Sequence, residues 1–225
     1  AISRGRMTET STRALRLDAL VDEVRKCRVC EAFLPLGARP LIHVSAKSRI
    51  LIASQAPGTK AHLSGKSFFD PSGDRLRSWL QMLPEQFYDT RQIAILPMGL
   101  CYPGRLPQGG DRPPRPECAP LWQDKILSLM PDIQLTLLVG GYSQHHVLGR
   151  GSVTDRVKNF RDYLPRYFPL PHPSWRTGIW EKRNPWFQED VIPELRRRTN
   201  DILKNSKVSA LDEQLLHSRN AQNPT

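Results

Sequence analysis

Short, wholly apolar runs alternate along this chain with longer segments whose apolar residues recur every three or four positions. The short runs are Ile50-Leu51-Ile52-Ala53, Ile93-Ala94-Ile95-Leu96, Leu135-Thr136-Leu137-Leu138-Val139 and Tyr167-Phe168-Pro169-Leu170. Runs this short, with almost no polar alternation, predict strands buried on both faces, as parallel sheets require. The longer segments predict helices. Arg13 to Lys26 carries Leu15, Leu17, Leu20, Val21 and Val24 between charged residues, and Asp74 to Leu83 carries Leu76, Trp79, Leu80 and Leu83. Pro116 to Met130 is a third helix, a short one follows Gly140-Gly141, and residues 186–204 form a basic helix in which Trp186 and Phe187 face the core. Strands separated by helices predict a three-layer α/β/α sandwich around a central, mostly parallel four-stranded sheet.

The first strand ends abruptly at Ser54-Gln55-Ala56-Pro57-Gly58. Pro57 removes a backbone donor and Gly58 tolerates unusual dihedrals, so the chain turns there. Open α/β sheets bind ligands beyond the carboxyl ends of their strands, which makes this turn a candidate site. Residues 31–48 and the Pro- and Gly-rich stretch Pro97 to Gly110 read as loops. Ala1 to Arg6 precede Met7 and read as an expression scar, residues 7–204 as one domain, and residues 205–225 as a polar, flexible tail.

Charge narrows the class of partner. Lys and Arg number 33 against 22 Asp and Glu, a formal net charge of +11. That excess favours a polyanion, nucleic acid first and an anionic membrane surface second. No apolar run approaches the roughly 18 residues needed to span a bilayer, and no secretory signal opens the chain. A monomer in the cytoplasm, nucleoid-associated in a bacterium, is therefore expected. Trp175 to Trp186 interleaves basic residues with aromatic and apolar ones. Arg176, Lys182 and Arg183 suit phosphates there, while Ile179 and Trp180 are candidates for a wedge that fills the gap left by an extruded base.

The four cysteines are Cys27, Cys30, Cys101 and Cys118, a C-x2-C pair followed by two distant residues. With no secretory signal, disulfides are disfavoured, and four thiols beside loops suggest a tetrathiolate site. Zinc and a [4Fe–4S] cluster both fit four thiolates, and spacing does not separate them.

In order and approximate spacing the quartet resembles that of the iron–sulfur branch of the uracil-DNA glycosylase superfamily. Further elements carry the resemblance. Ser54-Gln55-Ala56-Pro57-Gly58 is similar to the family's G-E/Q-x-P-G turn, and Gly65-Lys66-Ser67-Phe68 to its G-x-P-F element. Cys101-Tyr102-Pro103-Gly104 and Arg115-Pro116-Glu117-Cys118 echo its third- and fourth-cysteine loops, and His172-Pro173-Ser174 matches its late H-P-S motif. These elements cover residues 27 to about 195.

The resemblance implies an enzyme that flips uracil out of DNA and cleaves its N-glycosidic bond, with a structural [4Fe–4S] cluster or, alternatively, zinc. It implies that Phe68 stacks on the base and that Gln55 lies near the sugar and water. The backbone of Ala56, Pro57 and Gly58 faces the base, and His172, followed by Ser174, donates toward uracil O2 as negative charge develops. The sequence departs from the pattern twice. Gln55 and Ala56 occupy positions where several branches have a catalytic carboxylate, and Pro97 stands where the closest branch has a uracil-reading Asn. Asp70 is the candidate replacement carboxylate, with a helix cap as its competing role. Asn184 is a candidate for the base edge. A DNA-binding protein without catalysis on the same fold, and a zinc-stabilised nucleic-acid module, are the other function classes.

Overall fold

The computed structural model describes residues 9–204. The expectations for residues 1–6 and for residues 205–225 lie outside the described residues. In chain order the elements are α1 (Glu9–Arg25), β1 (Ile50–Ala53), α2 (Thr59–Ser64), α3 (Pro71–Leu80), α4 (Pro84–Phe87), β2 (Ile93–Ile95), α5 (Cys118–Leu127) and β3 (Leu135–Val139). Then follow α6 (Gly141–Leu148), α7 (Val153–Lys158), β4 (Tyr167–Leu170) and α8 (Thr177–Arg183). A π-helical turn, Phe187–Val191, leads into a last helix, α9, over residues 192–204.

The strands lie in the order β2-β1-β3-β4 and every pair is parallel. Side chains alternate between the two faces. Ile50, Ile52, Ile93, Ile95, Leu135 and Leu137 face Leu76, Trp79, Leu80, Phe160, Phe187 and Leu195 on one side. Leu51, Ala94 and Leu96 face Leu17, Val21, Val24, Trp122 and Ile126 of α1 and α5 on the other. The result is the expected three-layer sandwich. All of β1, β2 and β3 is buried, which is why these segments read as unbroken apolar runs. The outer edge of β2 is covered by residue 43, whose backbone bridges Ile95.

Helix boundaries depart from the pattern for identifiable reasons. The helix expected from Asp74 begins at Pro71, because Asp70 accepts a hydrogen bond from the Gly73 amide at 2.8 Å and Pro71 takes the first position. It stops at Leu80, where Gln81 turns left-handed (φ 54°), and this leaves Leu83 exposed. Helices α2 and α7 span only 6 residues each, too short for apolar periodicity to reveal.

The chain leaves β1 toward β2 on one side and returns to β3 on the other. This reversal puts the switch point of the sheet between β1 and β3, and their carboxyl ends open the crevice in which such folds bind ligands.

Candidate active site

A cleft occupies that crevice. Ser54 to Gly58 enter it from the end of β1, Pro97 from beyond β2 and His172 from beyond β4. Ser67, Phe68 and Asp70 close a side between α2 and α3, and Asp111 reaches in from the long loop before α5. The sheet thus brings together Gln55, Ala56, Pro57, Gly58, Phe68, Asp70 and His172, which the sequence scatters over more than 100 positions.

The β1 turn is tied to the loop after β2. Met98 and Gly99 donate backbone N–H groups to the carbonyls of Ser54 and Gln55, at 2.9 and 2.8 Å. Pro97 lines the cleft, but its carbonyl accepts from the buried Gln123 amide at 2.8 Å, so it offers a ligand only an apolar ring.

Phe68 is buried and meets Phe87 edge-on at 6.2 Å between ring centroids. Its φ is 58°, a left-handed value uncommon for a bulky residue and worth roughly 1–3 kcal/mol of strain. A brace of polar groups holds it. Arg77 donates to the Phe68 carbonyl and to the Tyr88 hydroxyl, both at 3.2 Å, and Tyr88 donates to the Ser67 carbonyl at 2.9 Å. Nε2 of His43 accepts from the Ser67 amide at 3.3 Å. Burial lowers the His43 pKa, which favours the neutral imidazole needed to accept. With its backbone held at both ends, Ser67 still has a buried hydroxyl with no hydrogen-bond partner among the described residues.

His172 packs against Gly140 at the end of β3. A Cβ on Gly140 would sit 3.3 Å from the His172 Cβ, and Gly140 has φ of 85°, so a side chain there is disfavoured twice. The His172 carbonyl accepts from the Ser174 amide at 2.8 Å and from the Thr177 hydroxyl, which fixes the turn. Burial lowers the imidazole pKa, with the charge of Asp70 acting in the opposite sense. The lowered pKa favours the neutral imidazole at the wall of the cleft.

Asp70 has two duties divided between its oxygens. Oδ1 caps α3, while Oδ2 lies 3.7 Å from the position a Gly58 Cβ would take. The helix cap expected of Asp70 is present at Oδ1. Asp111 was missed at the sequence level, because its stretch reads only as a Pro- and Gly-rich loop. The signal was present: a lone acid inside an otherwise basic loop, Gly110-Asp111-Arg112.

Other candidates lie outside the cleft. Ser174 shapes the turn after His172 and sits 3.5 Å from the Thr177 hydroxyl. The Asn184 amide donates to the Trp180 carbonyl at 2.8 Å and ends α8. Of the two wedge candidates, Ile179 is 55 % exposed, whereas Trp180 packs against Trp186 and Phe187 and donates its indole N–H to Thr154 at 2.9 Å. Trp175, 73 % exposed beneath the Arg176 guanidinium, is the freer aromatic. Arg176, Lys182 and Arg183 are exposed and make no ion pair among the described residues. The three arginines of α9 are occupied instead: Arg196 bonds the carbonyls of Ser78 and Trp79, and Arg197 and Arg198 pair with Glu194.

The metal expectation is corrected. Cys27, Cys30, Cys101 and Cys118 are free thiols that border one apolar pocket with Leu34, Leu100 and Trp122. Among the described residues, no group of three or more His, Cys, Asp or Glu is arranged to hold a metal ion. Neither a [4Fe–4S] cluster nor zinc is assigned, and with them goes the placement in an iron–sulfur branch. Among the described residues, no helix is long and apolar enough to cross a membrane. One family model, described as the uracil DNA glycosylase superfamily, matches residues 42–196, a range that contains every cleft residue named above.

Proposed function

Because the chain belongs to the uracil DNA glycosylase superfamily, we propose that it flips uracil out of DNA and cleaves its N-glycosidic bond, leaving an abasic site. The observation that carries this reading is the cleft at the switch point, where the half-buried His172, the Phe68 ring and the Gln55–Gly58 turn converge. A flipped base needs a flat apolar surface, and Phe68 supplies one. It needs polar groups for its edge, and the backbone amides of the Gln55–Gly58 turn offer them where Pro97 offers none. As the bond to the sugar breaks, its electron pair moves onto the base, and negative charge grows on the uracil carbonyl oxygens. The N–H of neutral His172 and the amides of the Gln55–Gly58 turn stabilise that charge without reorganising. Gln55 orients water near the sugar, and the exposed cations on and before α8 hold the phosphates beside the cleft. Such a protein acts as a monomer wherever the cell keeps its DNA.

Gln55 and Ala56, neutral where a carboxylate is customary, favour a second reading, in which the protein retains uracil-containing DNA without cleaving it. One measurement separates the two. Excess protein is mixed with a labelled single- or double-stranded oligonucleotide bearing one uracil, and the strand is then cleaved by alkali at abasic sites. Strand scission that depends on the uracil supports the glycosylase. Tight binding with an intact glycosidic bond supports the second reading.

A further inference from the structure

The cleft contains a carboxylate that the β1 turn lacks. Asp111 lies at the end of a small hairpin: Arg105 and Asp111 form an antiparallel bridge, Leu106 donates to the Gly110 carbonyl at 2.9 Å, and Arg112 donates to the Gly104 carbonyl at 2.8 Å. Gly104, Gly109 and Gly110 adopt φ of 96°, 92° and 87°, which lets so short a loop fold back on itself. The hairpin thereby lays Asp111 across the mouth of the cleft. Its Oδ2 would stand 3.5 Å from a Cβ on Gly58, nearer than Asp70 at 3.7 Å. Both carboxylates thus border Gly58 at ordinary contact distance.

Their hydrogen bonding separates the two acids. Asp70 spends Oδ1 on the α3 cap. Among the described residues Asp111 has no side-chain hydrogen bond and no ion pair, so both its oxygens remain available to a water molecule. We infer that Asp111 is the carboxylate that holds the attacking water and takes its proton, the part left vacant by Gln55 and Ala56. This inference rests on the glycosylase reading above. In the step, the C1′–N1 bond breaks and its electron pair leaves with uracil. The water oxygen then bonds to C1′ while one of its protons passes to Asp111. Uracil gains a proton from solvent, and Asp111 returns its own to solvent.

The surroundings suit the role. Asp111 is solvent-exposed where it lines the cleft; partial desolvation raises its pKa, Arg105 opposes that and Asp70 adds to it. A carboxyl raised in this way is a stronger base than an ordinary aspartate once ionised. Asp70 and Arg105 are the charged groups that act on it, and neither is displaced by an isosteric change at residue 111.

The test is single-turnover uracil release across pH 4 to 8 by wild type, Asp111→Asn and Asp70→Asn, with affinity for the same single-stranded oligonucleotide measured in parallel. Asp111→Asn is expected to lower the rate about 100- to 10,000-fold and to abolish its acid limb. Its DNA affinity should be unchanged or tighter, since a negative charge beside a polyanion is gone. Asp70→Asn should keep the acid limb. An Asp111→Asn protein with the wild-type rate and profile overturns the inference while leaving the glycosylase reading intact. Wild type that binds the strand and releases no uracil overturns both. If thermal melting finds Asp111→Asn unfolded, Asp111→Glu is read instead: an acid limb kept supports the role, and one lost overturns it.

Discussion

A Cβ built on Gly73 would lie 1.7 Å from the carbonyl oxygen of Phe68. The first turn of α3 and the strained backbone of Phe68 thus interlock, and only glycine permits it. Neither partner can yield cheaply, because the Phe68 carbonyl is also held by Arg77 and the Gly73 amide by Asp70. Gly73→Ala must shift the helix start or the phenyl ring, at about 1–3 kcal/mol or more, as overpacking generally costs. Urea denaturation should show that loss, and uracil release should fall further than stability alone explains. Wild-type release from a Gly73→Ala protein would mean that the phenyl ring is not held for the base.

Phe68→Ala tests the ring itself. Stacking of a base on an aromatic ring contributes about 1–3 kcal/mol, so affinity for a uracil-containing single strand should weaken about 5- to 150-fold. Uracil-free DNA should bind nearly as before, because the exposed cations are untouched. Equal weakening for both strands would place Phe68 in the fold rather than at the base.

His172→Ala should slow uracil release about 100- to 1000-fold, the usual consequence of losing one donor to a developing anion. Gln55→Ala should reduce release by less, since a water held from two sides tolerates the loss of one. Gly140→Ala provides a control on geometry. It forces a side chain into a left-handed position against His172, so it should slow release while leaving the imidazole present. Single-turnover rates under saturating protein rank the three. A His172→Ala protein faster than Gln55→Ala would reverse the roles assigned here.

Stability should fall on mild acidification. His43, His62 and His172 are all lowered from 6.5, with burial the largest cause in each. Between their folded values and 6.5 the unfolded chain binds more protons, so stability rises with pH through that window. It is complete above 6.5, is lost as pH falls toward the folded values, and levels off below them. Asp111, raised above 3.8, acts in the opposite sense over its own range. Glu194, held at about 2 by Arg197 and Arg198, loses its contribution only at lower pH. Urea midpoints at pH 7.5, 6.5 and 5.5 should therefore decline, and His43→Gln should decline less steeply. A flat wild-type profile would show that these imidazoles are not buried neutral.

How much of this was legible in the sequence depended on what recorded it. The strands were legible because burial on both faces leaves an unbroken apolar run, and Ile50 to Ala53 and Leu135 to Val139 begin and end where expected. Helices α2 and α7 were not, because at 6 residues an amphipathic period barely repeats. The cleft was legible where short motifs compress it, at Ser54–Gly58 and at His172. Asp111 escaped because its place follows from a glycine hairpin folding across the sheet, a fact of tertiary geometry. Asn184 and Trp180 stood out by residue type alone, whereas the bonds they make are local, one ending α8 and the other pinning it to Thr154. The cysteines point the same way, since order and spacing bring four thiols to one pocket without giving them metal geometry.

DNA affinity should depend steeply on salt, with a slope set at α8. Arg176, Lys182 and Arg183 are exposed, unpaired among the described residues, and carried by a helix whose start is fixed to the His172 carbonyl through Thr177. Each phosphate such a residue neutralises releases condensed counterion, so log affinity falls linearly with log salt by about 0.7 per contact on single strands and 0.9 on duplex. Replacing any one with Ala should reduce the slope by about one unit and weaken binding for all sequences alike. Arg197→Ala is the internal control, because its guanidinium is engaged by Glu194 and Asp201 on the last helix. It should leave the slope as it was. Ile179→Ala should also leave the slope alone while weakening binding to uracil-containing duplex, where an extruded base leaves a gap to fill. A slope that drops in Arg197→Ala and stays put in the α8 variants would move the phosphate path from α8 to α9.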